Sequence, residues 1–205
     1  MMNLVQRATN ILTTPKTEWP RIDHEPATAG GLMTGYALPL ALIPAAVTML
    51  FGLLFASMLG AYAGAGFIYL LVSAALGLAL GLAVLYLMSL IANALAPNFG
   101  GVRNPIGALK LLVYSGTAVW VASIFSVIPG LGFLIAIAGY AYAGYLIYLG
   151  SMSVMKVPTG SAGGYTAVVI IIWIGLYFMI TMIIGLIVAA AFLTGAGGYG
   201  AGYLN

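Results

Sequence analysis

Cysteine is absent from this 205-residue chain, histidine occurs once, and charged side chains make up only 4% of it. Each scarcity removes a class of function. Without cysteine there is no disulfide framework, thiol nucleophile or thiolate metal site, and the redox compartment is left undetermined. A soluble domain carries about 25% charged residues. A chain that is 63% hydrophobic, with a mean hydropathy of +1.16, therefore cannot present a wetted surface. The net charge of +3 reflects membrane topology and anionic lipid rather than nucleic acid, for which no module is visible.

Acidic residues are scarcer still. Glu18, Asp23 and Glu25 all lie in the first thirty residues, and the long apolar stretches contain none. This argues against a carboxylate proton relay, a buried sodium site with acidic ligands, and aspartyl intramembrane proteolysis. The single histidine, His24, sits in the same tail, so the membrane region has no Ser-His-acid constellation. The run Asp23-His24-Glu25 resembles a metal cluster, but consecutive loop residues seldom converge on one ion. One histidine and two carboxylates would also leave its coordination incomplete. The expectation is a chain that is not an enzyme and carries no metal or cofactor.

What the sequence does contain is five apolar stretches, roughly 31–58, 65–95, 106–129, 131–150 and 165–193. Each is long enough to cross a hydrocarbon core of about 30 Å at about 1.5 Å per helical residue. The fold class expected is all-α: a polytopic membrane protein with five transmembrane helices and a short amphipathic N-terminal helix. Its parts are an N-terminal segment 1–30, a membrane domain 31–193 and a disordered tail 194–205. Five crossings place Arg7, Lys16, Arg21, Arg103, Lys110 and Lys156 on one side, which the positive-inside rule makes cytoplasmic. The opposite segments carry no charge, so the C-terminus is expected outside. A cleavable signal peptide is not expected, because the first apolar stretch is too long for an h-region and follows a tail with acidic residues.

Within the tail, Leu4, Val5, Ala8, Ile11 and Leu12 share one helical face, with Asn3, Gln6, Arg7 and Asn10 opposite. Two settings suit this helix. It lies in the headgroup layer with Trp19 as an interfacial anchor, or it packs against the cytoplasmic ends of the bundle. Pro39 and Pro44 are expected to kink the first span. Gly77 and Gly81 form a GxxxG pair, expected to pack within one bundle, with homodimerisation as the alternative. Lys110, a few residues after Pro105, is expected to snorkel to the interface, with a ligand role as the alternative. Tyr140, Tyr142, Tyr145 and Tyr148 alternate with Ala and Gly on the fourth span; a packing stripe with hydroxyls bonded across helices is the favoured reading, a cavity lining the other.

These elements in order resemble a known family. The tail pattern Pro15, Trp19, Ile22, Glu25 leads into Tyr36-Ala37-Leu38-Pro39-Leu40. Tyr114-Ser115-Gly116-Thr117, Trp120 and Ile128-Pro129-Gly130-Leu131-Gly132 follow, then Tyr145 to Gly150, Met155-Lys156-Val157-Pro158 and Gly164-Tyr165. Together they are similar to the prokaryotic branch of the Yip-one (Ypt/Rab-interacting protein) family, with Ala118 where members often carry proline. The resemblance implies five membrane helices, a cytoplasmic N-terminus and an address in the prokaryotic inner membrane. Eukaryotic members bind prenylated Rab-type GTPases in vesicle trafficking; this chain lacks their long N-terminal domain, and that role is not carried over. The expected function is a noncatalytic integral membrane protein that organises or binds other membrane components. Its partners would be membrane lipids, other membrane proteins and a second copy of itself. Candidate partner-binding residues are Trp19, Glu25, Tyr36, Pro39, Lys110 and Tyr114. The rival reading is a transporter, channel or lipid-handling protein for a neutral solute or lipid, with its path between the kinked first span and the tyrosine-rich fourth.

Overall fold

Proline and asparagine punctuate the N-terminal segment into two short helices before the first span begins. In the computed structural model, which describes residues 3–58, 65–128 and 130–200, α1 runs Leu4–Thr13 and α2 runs Pro15–His24. Asn3 caps α1 by accepting from the Val5 N–H, and Pro15 opens α2 where a missing N–H costs nothing. A single turn, α3 (Ala29–Leu32), is capped by Thr28 and leads through a π-helical turn, Met33–Ala37, into α4 (Leu38–Met58). The wide turn directly precedes Pro39, whose ring would otherwise collide with the carbonyl four residues back. The bend expected from Pro39 is thus taken up as a π turn.

The remaining helices are α5 (Ala65–Leu95), α6 (Pro105–Ala122), α7 (Leu131–Val154) and α8 (Thr159–Gly200), with 3₁₀ turns after α5 and α6. Five helical segments among the described residues are long and apolar enough to cross a membrane: Ala29–Leu54, Leu71–Phe99, Pro105–Val127, Leu131–Val154 and Thr159–Ile180. The first begins two residues before the expected 31, and the fifth six before the expected 165. The helix α8 is continuous to Gly200, past the expected boundary at 193; residues 201–205 of the expected tail lie outside the described residues.

The chain divides into two units, Met1–Ala167 and Val168–Asn205. The described residues of the second are helical to Gly200, with Tyr177, Phe178 and Met182 exposed. In the first, α6 is the central helix. It packs on α1, α4, α5 and α7, and every residue from Gly107 to Ala118 is buried. Small side chains bring α6 and α7 close: a Cβ on Gly139 would stand 2.6 Å from that of Ala122 and 3.3 Å from the Ala118 carbonyl oxygen. Ala118, the departure from the family's proline, therefore leaves α6 unbroken and supplies part of this contact. The GxxxG pair lies elsewhere. Gly77 and Gly81 are exposed, and a Cβ on either would meet nothing within 4 Å. Packing of that pair inside the bundle, expected above, is not what the structure contains.

Candidate functional site: the tail dock on the third span

Three polar or aromatic residues fall on one face of α6 at helical spacing, Lys110, Tyr114 and Thr117. The N-terminal segment and the first span close over this face. Lys110 is buried, and its Nζ donates to the carbonyl oxygens of Ile22 (2.6 Å) and Glu25 (2.6 Å), with that of Asp23 at 3.4 Å. These carbonyls end α2, where backbone acceptors lack partners within the helix and the helix dipole is negative. The ammonium thus supplies both hydrogen bonds and charge at the α2 terminus. It does not snorkel outward as expected.

The same logic operates at the end of α1, where Tyr142 of α7 donates its hydroxyl to the Leu12 carbonyl at 2.7 Å. Both short helices are therefore closed at their C-termini by side chains from the spans. Neither has the length to be stable alone in water. Tyr165 bonds the Ala92 carbonyl near the end of α5 at 2.9 Å, a third instance of the device.

Inside the dock, Arg7 is 6% exposed and pairs with Glu18 and Glu25. Its guanidinium also lies 5.8 Å from the Tyr114 ring centre, within cation–π range. Burial lowers the Arg7 pKa, but the hydrogen bond and charge of Glu25 and the charge of Glu18 outweigh it, and the net shift is upward. Glu18 is 1% exposed and lies 3.6 Å from Arg21 as well. Asp23 turns the other way, to Lys156 at 2.6 Å. The Asp23-His24-Glu25 run is thus split between two cationic partners, while His24 faces outward.

Trp19 is 1% exposed, so it is a buried packing residue and not an interfacial anchor. Its indole lies edge-on to Tyr114, with ring centres 6.4 Å apart, and over the backbone of α7 at Gly150. A Cβ on Gly150 would stand 2.6 Å from both Trp19 Cζ2 and Leu111 Cδ1. Tyr36 from the first span completes the cluster. Its ring meets Tyr114 at 4.7 Å, and its hydroxyl bonds Thr117 Oγ1 at 2.9 Å. Of the six residues singled out from the sequence, Trp19, Glu25, Tyr36, Lys110 and Tyr114 converge here. Pro39 stands apart, half-buried beyond the π turn. The tyrosine stripe divides: Tyr142 faces the dock, and Tyr140 and Tyr145 are 66% and 38% exposed.

Sequence reasoning missed Arg7, Glu18 and Gly150. Helical periodicity assigned Arg7 to a solvated face. The available signal was the charge balance within the tail, where Arg7 has acidic residues at 18 and 25 able to neutralise it.

The five apolar spans and the all-helical, strand-free backbone of the described residues define a polytopic helical membrane protein. The Yip1 domain model matches residues 9–181, and the chain belongs to the Yip1 family. That match takes in the second half of α1, all of α2 and all five spans, so Glu18, Trp19 and Glu25 lie within the family's domain while Arg7 precedes the matched region. No curated protein and no solved structure matches the chain significantly.

Proposed function

We propose that this protein is a noncatalytic organiser of other membrane components, seated in a prokaryotic inner membrane with its N-terminus in the cytoplasm and its C-terminus outside. One observation carries the reading. Arg7, Glu18 and Lys110 are the buried charged groups among the described residues, and each is matched by a partner within the tail dock. Chemistry at a buried ionisable group would need one held free for substrate. The domain division 1–30, 31–193 and 194–205 stands with this proposal, as does the partner-binding role of Trp19, Glu25, Tyr36, Lys110, Tyr114 and Pro39. Five of these would act by fixing the shape of the docked tail, and Pro39 by setting the entry of the first span. The outward Gly77 and Gly81 are the surface for a second copy.

The transport or lipid-handling alternative draws its path between α4 and α7, where the buried stretch Gly107–Ala118 of α6 lies. The test is extraction from native membrane in polymer-bounded lipid discs, comparing the wild type with Trp19→Ala/Glu25→Ala. A stoichiometric protein partner lost with the double substitution is the expected result. An unchanged set of partners, or a selectively enriched lipid or solute alone, overturns the proposal. Reporters fused after Asn205 and between Val157 and Ser161 should report opposite sides, the latter cytoplasmic.

A further inference from the structure

The outward surface of the N-terminal helices differs in chemistry from that of the span beneath them. Gln6, Thr9, Thr13, Lys16, Thr17 and Arg21 are exposed on α1 and α2, with Val5 at the start of α1 the one large aliphatic side chain exposed among them. On α7, Leu131, Phe133, Leu134 and Ile137 are exposed, at 48%, 71%, 61% and 51%. A hydrocarbon core accepts the second set and penalises the first.

The depth of the polar set follows from the register of the spans. Three close contacts pin α6 against α7: Gly139 on Ala122, Gly150 on Leu111, and Gly107 on the Val154 carbonyl. Tyr142 is therefore level with Val119, two residues further in than Thr117, which bonds Tyr36 of the first span. Tyr36 lies seven residues beyond Ala29, where that span begins, or roughly 10 Å inward at helical rise. Because Tyr142 holds the Leu12 carbonyl, the α1–α2 turn, with Thr13 and Lys16 exposed, reaches that depth. A flat bilayer bounded at Ala29 would bury this turn in hydrocarbon.

We propose that the bilayer surface dips beside α1 and α2 by roughly 10 Å, and that the N-terminal helices occupy the depression at headgroup level. The binding partner of their outer face is then the lipid surface itself. Two further observations agree. The apolar stretch of α7 below the turn, Leu131 to Tyr142, is about 17 Å long at helical rise, against a core of about 30 Å. Among the side chains described on α5, exposed apolar ones run from Leu71 to Leu90, about 29 Å. The exposed Tyr140 and Tyr145 flank the proposed waterline, where aromatic residues gather at membrane interfaces. A leaflet that must thin on one side of a protein is under local mismatch stress. The protein would therefore favour thin or curved membrane, whatever its protein partners.

The absence of cysteine makes a direct test simple. Single variants Thr13→Cys, Thr34→Cys and Ile137→Cys are spin-labelled and reconstituted in dioleoyl phosphatidylcholine vesicles, and accessibility to a nickel chelate is compared with that to oxygen. Thr34 is exposed on the first span at a depth no greater than the turn. A dipped surface gives an inverted order: the label at 13 is several-fold more accessible to nickel, while those at 34 and 137 favour oxygen. Oxygen preference at 13 equal to that at 34 overturns the proposal. Exclusion of both reagents at 13 also overturns it, because another protein surface then covers the turn. Thr17→Cys supplies the same comparison if the Thr13 variant does not fold.

Discussion

Gly150 and Gly77 are the same residue in the same class of helix, and their surroundings are opposite. A methyl group on Gly150 would collide at 2.6 Å with Trp19 and Leu111, whereas one on Gly77 would touch nothing within 4 Å. The first glycine exists to seat an aromatic ring from the tail, and the second leaves a helix backbone open to whatever lies outside this chain. The contrast extends to whole regions. Around Gly150 the molecule concentrates buried ions, stacked aromatics and capped helix ends; around Gly77 it offers apolar helix surface, with Leu76 and Leu80 exposed. Charge is thus concentrated in the region that holds the tail.

Removing the guanidinium should break this contrast most sharply. Arg7→Ala leaves Glu18 buried without its main partner, a change worth about 3–5 kcal/mol for an uncompensated buried charge. In lipid discs it should lower the thermal midpoint and open the tail to protease while the spans persist. Lys110→Met removes the ammonium from the α2 terminus and should cost about 1.5–3 kcal/mol, the worth of hydrogen bonds to a charged group. Its readout is faster hydrogen exchange in α2 than in α1. Gly150→Ala should cost about 1–3 kcal/mol through overpacking, seen as a shifted tryptophan emission as the indole leaves its seat. Tyr142→Phe deletes one neutral hydrogen bond and should cost about 0.5–1.5 kcal/mol, with exchange rising at the end of α1. At the foot of the scale, Gly77→Ala should stabilise the isolated chain by about 0.5–1 kcal/mol through helix propensity. In the membrane, where a second copy is proposed on that face, the same substitution should weaken self-association, measured against protein-to-lipid ratio.

The spans were legible because hydropathy over a long window survives any detail of packing, and the one-sided placement of Arg and Lys fixed their number. The dock was legible only in fragments. Trp19, Glu25, Tyr36, Lys110 and Tyr114 could be named one by one, but the link among them runs through Arg7. A helical wheel places every charge on the wet face, and whether a cation is instead buried depends on carboxylates brought close by a turn at Thr14 and Pro15. Gly77 and Gly81 illustrate the reverse failure. The GxxxG spacing is a statement about close approach and says nothing of which surface approaches.

Lys156 shows the same local tension. It holds a left-handed backbone angle, φ 55°, just past the end of α7, where glycine would sit without strain. The Val157 N–H bonds back to the Ser151 carbonyl at 3.1 Å, and the lysine side chain reaches Asp23.

The partners that cap α1 and α2 lie far downstream in the chain, at Lys110 and Tyr142. During synthesis the tail emerges first, yet its seat is incomplete until the fourth span has been made. At about 5–20 residues per second, the interval from Glu25 to Val154 lasts on the order of ten seconds. Until α7 is made, Trp19 and the end of α1 lack Gly150 and Tyr142, the α7 side of their seat. The tail is thus made before the spans that hold it and can complete its docking only after them, so a docked tail is a timestamp for the completed insertion of α6 and α7.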